Sequence, residues 1–327
     1  MPKLNVVYMS SYDECCGIAA YTDRLITNMR HAANITLLKN TPFRRVALRH
    51  YDDVKEVECF EVTIWTNHIS FDSAKALAAV QNADILHIEY ESALYHQEWM
   101  LPFLDAVKSM GIPIVVTAHS SCIWPSIYSR VSKWIAHSSE LASQIGAKWV
   151  HMPIVFHPYR ELPANKKVVS FGLGRNQDDL VKKALEQLHV EYPGLTFEPH
   201  YAQNRWVSEM ELVDYLLSGR IITLLYPPTA ALVNSSAAAF ALGVSRPLII
   251  TGTSWFSTVM ETFNGIHGVH VANCVDSVAD AIRKCLGKHD SDIQREFTNR
   301  VSTAADKRMG MPQVAEDHLS LYKELLK

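Results

Sequence analysis

At 327 residues the chain is long enough for about two domains of ordinary size, each with its own core. Hydrophobic residues make up 48% and charged residues 20%, the balance of a folded protein, which excludes disorder or a fibrous repeat as a description of the whole. The 31 Lys and Arg against 34 Asp and Glu leave a formal charge of −3 with no basic run, so electrostatic capture of nucleic acid is not the expected mode of action.

The longest apolar stretches, 221–226 and 247–251, fall far short of the roughly 18 residues of a membrane span, so no integral membrane segment is expected. The start of the chain, 4–9 interrupted by Asn5, is too short and too quickly polar for a signal peptide, and a cytoplasmic location is expected. Six cysteines show no C-x-x-C spacing, which predicts reduced thiols and no zinc site.

In chain order, a strand at 4–9, a helix at 18–29 and a strand at 35–38 set a βαβ rhythm. It continues with a strand at 84–90, an amphipathic helix at 99–110, strands at 113–118 and 133–136, and a short helix ending near Gly146. Prolines 153, 158 and 163 punctuate 150–163, a stretch that cannot be a continuous helix because proline lacks the amide donor and restricts its predecessor; it reads as a linker. A second series follows: strand 167–171, helix 179–191, strand 196–198, helix 209–217, strand 221–225, helix 235–242 and strand 248–251. Near-helical spacing of Val314, Leu319, Tyr322, Leu325 and Leu326 predicts a terminal amphipathic helix over 313–326. The predicted domains are 1–155, 156–310, and a closing helix, 311–327, that packs back on the first.

In open parallel sheets, ligands bind beyond the carboxyl ends of the strands, so the strand-to-helix loops carry the candidate chemistry. The loop 10–18 ends in Gly17 where a helix starts; a glycine lets backbone approach a ligand, and helix-start amides suit an anion such as a diphosphate. No G-x-G-x-x-G fingerprint for a dinucleotide is present.

Six segments in order carry a family resemblance. Cys16-Gly17-Ile18-Ala19-Ala20-Tyr21-Thr22 resembles the C-G-I-A-x-Y-T opening of retaining glycosyltransferases of family 4. The segment from Ala83 through His87, Glu89, Tyr90 and Glu91 is similar to that family's D-x-x-H-x-Q-Y-E strand, and 113–120, with His119, to its P-x-V-x-T-x-H-D strand. In the second half, 169–175 falls where the family has a strand ending in Gly and a phosphate-binding Arg. Tyr226 followed by 234–247 resembles the donor loop that ends A-L-G-x-G-R-P, and 314–322 the helix that crosses back.

The resemblance implies a GT-B fold, two Rossmann-like doubly wound domains facing a central cleft. It also implies a retaining hexosyltransferase that moves a sugar from a nucleotide-diphosphate sugar to a glycan or lipid-linked acceptor. Gly17, Arg175, Asn234, Ser235 and Ser236 would hold the donor, with Arg175 and the amides at the start of the 235–242 helix on its phosphates. His119 and Arg175 would serve catalysis, with no cofactor and no metal. Stabilising the departing diphosphate is then the main catalytic task, and the leaving phosphate takes the acceptor's proton without a protein nucleophile. Glu91 is a further candidate for acceptor contact, and Trp255 and Phe256 for lining the donor pocket. His119 also reads as a capping or core histidine, Arg175 as a solvated residue after a strand, and Ser235 and Ser236 as a helix cap.

Three positions depart from the family pattern: Asp178 stands at the place of a phosphate-binding lysine, and Leu232 and Phe240 replace the paired glutamates of the donor loop. Lys182 or Lys183 could supply the missing charge. Asp178 and Leu232 motivate a competing reading, a GT-B-like binding or scaffold subunit without catalysis. Another keeps the transferase and makes the acceptor a modified nucleic-acid base, which the absence of a basic run opposes.

Overall fold

The computed structural model describes residues 2–12, 14, 16–41, 48–61, 70–157, 160–172, 174, 176–201, 206–229, 231, 234–263, 268–287 and 290–327. The chain divides into two compact units, one built mainly from 1–151 with the C-terminal 311–327, the other mainly from 152–310.

Unit 1 runs β1 (Leu4–Ser10), α1 (Gly17–Met29), β2 (Ala33–Asn40), β3 (Val54–Phe60), α2 (Ser73–Val80), β4 (Ile85–Tyr90), α3 (Gln97–Ser109), β5 (Ile114–Ala118), a 3₁₀ turn (Pro125–Arg130), β6 (Lys133–Ala136), α4 (Ser139–Ile145) and β7 (Lys148–Trp149). Its seven strands are all parallel in the order β3-β2-β1-β4-β5-β6-β7. Unit 2 runs β8 (Lys167–Gly172), α5 (Asp178–Leu188), β9 (Thr196–Tyr201), α6 (Glu209–Ser218), β10 (Ile221–Leu224), α7 (Ser236–Val244), β11 (Leu248–Ile250), α8 (Ser257–Phe263), β12 (Val269–Val271), α9 (Val275–Leu286) and α10 (Asp290–Ala304). Its five strands are again parallel, ordered β12-β11-β10-β8-β9. The last helix, α11 (Met311–Leu325), returns to unit 1 and packs on α1.

The central strands are apolar runs because both faces of a parallel sheet are covered. Every residue of β4 and β5 is buried, and Leu86, Ile88, Tyr90, Val116 and Ala118 join Phe103, Leu104 and Val107 of α3 in one core. Helix starts follow side-chain capping. Cys16, extended, accepts the Ala19 amide ahead of α1, Asp72 accepts from Lys75 at α2, and Ser138 accepts from Leu141 at α4, which closes on left-handed Gly146. Before α6, Ser208 and Glu211 form a reciprocal capping box.

The described residues of 152–163 are irregular, as the prolines predict, and are held within unit 2 by backbone bonds and by arginines, Arg220 donating to the Pro163 carbonyl (3.3 Å). The Ile154 amide donates to the Met309 carbonyl, and the His157 amide to that of Gly243. A Cβ at Gly243 would overlap the Val155 carbonyl, so this close approach requires glycine. Arg246, buried, donates to the carbonyls of Arg160 (2.8 Å), Glu161 (3.0 Å) and Leu217 (3.2 Å), fixing the stretch beside α6.

Candidate functional site

Each sheet has a topological switch point, where successive strands are added on opposite sides and a crevice opens beyond the carboxyl ends. In unit 1 it falls between β1 and β4, and in unit 2 between β8 and β10.

In unit 1 the pleat of β4 sorts its side chains. Leu86, Ile88 and Tyr90 enter the apolar core on one face, and His87 and Glu89, two residues apart, share the other. That second face holds a buried polar network. His87 bonds through Nδ1 to the Tyr322 hydroxyl of α11 and through Nε2 to Thr117 Oγ1 (2.7 Å) on β5. Tyr322 meets the Tyr8 hydroxyl at 2.6 Å, and the His87 ring stacks on those of Tyr8 (4.9 Å) and His318 (5.4 Å). Beside them, His318 donates from Nδ1 to the Val314 carbonyl (2.7 Å), which leaves its Nε2 to accept from the Tyr21 hydroxyl (3.4 Å).

At the outer end of this network stands His119, the residue after β5. Its backbone amide donates to the Tyr90 carbonyl (3.0 Å), and its Nε2 lies 2.9 Å from Oε2 of Glu89. Glu89 has no exposed surface, whereas the His119 side chain is 10% exposed. Burial raises the Glu89 carboxyl well above the usual carboxylate range and lowers the His119 imidazole to about 4, so burial favours the neutral form of each. The Tyr95 hydroxyl fixes the backbone here by donating to the Glu89 carbonyl (2.9 Å). Nδ1 of His119 has no hydrogen-bond partner among the described residues. Glu91, one residue beyond β4, is half-buried and accepts from the Ser92 hydroxyl (3.2 Å). Gly17 is the first residue of α1, directly after the Cys16 cap.

In unit 2 the switch point is built from backbone and hydroxyls. β8 ends in Gly172 at φ +136°, and Gly174 follows at φ +73°. A Cβ on Gly172 would stand 3.2 Å from the Tyr226 hydroxyl, so the glycine keeps this strand end open in a conformation other residues resist. The Tyr226 amide donates to Thr251 Oγ1 (3.0 Å), which donates in turn to the Tyr226 carbonyl (2.7 Å), tying the end of β10 to that of β11. Two helices start here. α5 begins at Asp178, and α7 begins at Ser236 behind Ser235, whose hydroxyl accepts the Ala238 amide while its own amide donates to the Trp255 carbonyl. Asn234 donates to the Thr258 hydroxyl at 2.7 Å. The Trp255 ring meets Tyr226 edge-on at 5.4 Å, a packing contact, and Phe256 is fully buried.

Of the departures from the family pattern, Phe240 is buried against Phe171 and His157 in the core of unit 2. Asp178 is half-buried in the first turn of α5, and burial raises its carboxyl. Lys182 lies one turn into that helix, mostly exposed, 3.7 Å from Asp179. Arg175 and Leu232 lie outside the described residues.

Glu89, His87, Tyr322 and His318 were not among the candidates read from sequence. The signal is present nonetheless: two titratable residues at i and i+2 inside an otherwise apolar interior strand, and His318 and Tyr322 at i and i+4 on one face of the last helix.

No known protein-family profile matches the chain, and no curated protein matches its sequence. Solved structures do match in shape. A glycosyltransferase from Rickettsia africae has a TM-score of 0.70 at 13% identity, with 100% of each chain covered. HepE of Anabaena, solved with UDP and glucose, has a TM-score of 0.66 at 12% identity over 98% of this chain and 100% of its own. WaaG, a glycosyltransferase involved in lipopolysaccharide biosynthesis, has a TM-score of 0.59 at 11% identity over 97% and 99%. With two Rossmann-like parallel sheets and a last helix returning to the first unit, the chain has the GT-B fold.

Proposed function

We propose that the protein transfers a sugar from a nucleotide-diphosphate donor to an acceptor hydroxyl on a glycan or lipid-linked saccharide, with retention of configuration. The observation that carries the reading is His119, set at the end of β5 and anchored through Nε2 on buried Glu89 in a chain of GT-B fold. A histidine that only filled core space would not need a carboxyl held out of water to orient it.

The roles divide by chemistry. In unit 2, the glycines after β8, the amides at the starts of α5 and α7, and Arg175 form the set that binds the diphosphate and stabilises its departing charge. Ser235 acts by holding the first turn of α7 in shape, and Asn234 by fixing the residue before it through Thr258. In unit 1, His119 is the group that orients the transferred sugar, and Gly17 opens α1. The leaving phosphate receives the acceptor's proton, so neither a protein nucleophile nor a metal ion enters the scheme. The HepE likeness, solved with UDP and glucose, supports a nucleotide-sugar donor.

The test is hydrolysis and transfer with a panel of nucleotide sugars, the anomeric configuration of the product read by NMR and Arg175→Ala as control. Turnover of at least one donor with retained configuration, lost in the variant, is the expected result. Binding without turnover for every donor would favour the scaffold reading instead.

A further inference from the structure

His119 has two ring nitrogens in unlike surroundings. Nε2 faces a carboxyl with no solvent exposure at 2.9 Å, and Nδ1 has no partner among the described residues, on a side chain that reaches the surface. Glu89 Oε2 makes that one contact, and Oε1 lies 3.6 Å from His87 Nε2, beyond hydrogen-bond reach and without a partner. His87 cannot turn to meet it, because Thr117 and Tyr322 hold both of its nitrogens. Among the described residues, the other titratable groups around the pair are Tyr8 of β1, Tyr21 of α1, Tyr95 and Tyr322 of α11, with Glu91 and His137, whose ring lies 5.5 Å from that of His119, beside the imidazole. None of them is a cation. The Glu89 carboxyl therefore has one outlet for a proton, His119.

We propose that Glu89 is a positioning residue and proton reserve for His119, fixing the imidazole as an Nδ1–H hydrogen-bond donor toward the ligand. This rests on the sugar-transfer reading above and deepens it. With one proton shared by the pair, two arrangements exist. In the resting one, Glu89 is protonated and its O–H donates to Nε2, so the neutral ring carries its proton on Nδ1. In the other, the Oε2–H bond breaks and an Nε2–H bond forms, giving a carboxylate and an imidazolium. Nδ1 carries hydrogen in both, so His119 faces the ligand as a donor throughout and has no Nδ1 lone pair to act as a base.

The resting arrangement is the one that burial favours for both groups. When negative charge builds on a ligand group that Nδ1–H meets, the Oε2–H bond breaks and the Nε2–H bond forms, so the cation is the imidazole and the balancing anion is Glu89, which has no exposed surface. No proton is drawn from solvent. A glutamine has the same shape as Glu89 and can hydrogen-bond Nε2, but it cannot give the ring a proton.

The test compares wild type with Glu89→Gln and Glu89→Asp, each first shown to unfold at a temperature close to wild type. For the preferred donor, Glu89→Gln is expected to lower kcat roughly 100-fold with little change in KM and to abolish the wild-type pH dependence of kcat, with partial rescue in Glu89→Asp. A residue that merely filled space would leave the pH profile in place. The second readout needs no substrate: ¹⁵N NMR of the His119 ring, assigned with His119→Gln, is expected to show the Nδ1–H neutral form in wild type at pH 7. An Nδ1 lone pair in wild type, or unchanged kcat and pH profile in Glu89→Gln, overturns the proposal. Were wild type to turn over no donor at all, the transfer reading would fail, and the ring signature alone would decide the Glu89–His119 relation.

Discussion

Unit 1 and unit 2 wind their sheets alike, yet the interiors of their central strands differ in kind. β4 and β5 of unit 1 bury His87, Glu89 and Thr117, whereas β8 and β10 of unit 2 bury only hydroxyls, Ser170 and Thr223, among apolar residues. A titratable group in a core costs several kcal/mol unless its hydrogen bonds are met, and unit 1 meets most of them with tyrosines and histidines from β1, α1 and α11. Unit 2 instead places glycines and helix starts at its strand ends, where main-chain dipoles need no buried charge. Under the proposed function, the first unit controls a proton and the second holds an anion.

Acid should separate the units most strongly. Burial holds the imidazoles of His119 and His318 at about 4 and that of His137 at about 3, against an ordinary value of 6.5. The unfolded chain therefore takes up protons first, and stability present above pH 6.5 is lost as pH falls toward 4, by about 1.4 kcal/mol per pH unit for each histidine. Glu89, raised in the folded state, acts in the opposite sense and offsets part of the loss, since its folded form keeps a proton that the unfolded form releases. Hydrogen exchange at pH 5 and pH 7 is expected to show unit 1 opening first in acid; equal protection of the two units would break the comparison.

Smaller effects sharpen the division. His119→Ala is expected to lower turnover roughly 100-fold while leaving unchanged the nucleotide affinity that the proposed function assigns to unit 2; steady-state kinetics beside calorimetric titration separates the two. Arg246→Met strands three carbonyls that the guanidinium now satisfies, and should cost about 2 kcal/mol in denaturant unfolding without changing the His119 ring signature. Ser235→Ala removes the α7 cap and should cost about 1 kcal/mol, with a weakened nucleotide affinity as the readout that distinguishes it from other caps.

The chain order of the fold was legible because buried parallel strands are short apolar runs, and 4–9, 113–118 and 167–171 stand out as such. β3 did not, since Lys55, Glu56 and Glu58 break its pattern at the edge of the sheet, beside β2. β7 and β12, of two and three residues, are too short to show a period. α2, α8, α9 and α10 likewise stand outside the predicted set; α8 has seven residues, fewer than two full turns of pattern. At the site, His119 was visible from its motif and its place after a strand. Its partner was not, because a glutamate in a strand reads as solvent-facing until β4 takes its place between β1 and β5 in a sheet covered on both faces.

The most direct test is calorimetric titration of nucleoside diphosphates into wild type, Arg175→Ala and His119→Ala. Saturable binding that Arg175→Ala abolishes and His119→Ala preserves is the predicted result. Absence of binding in wild type, or a loss that follows His119 rather than Arg175, would contradict the assignment of the anion to unit 2.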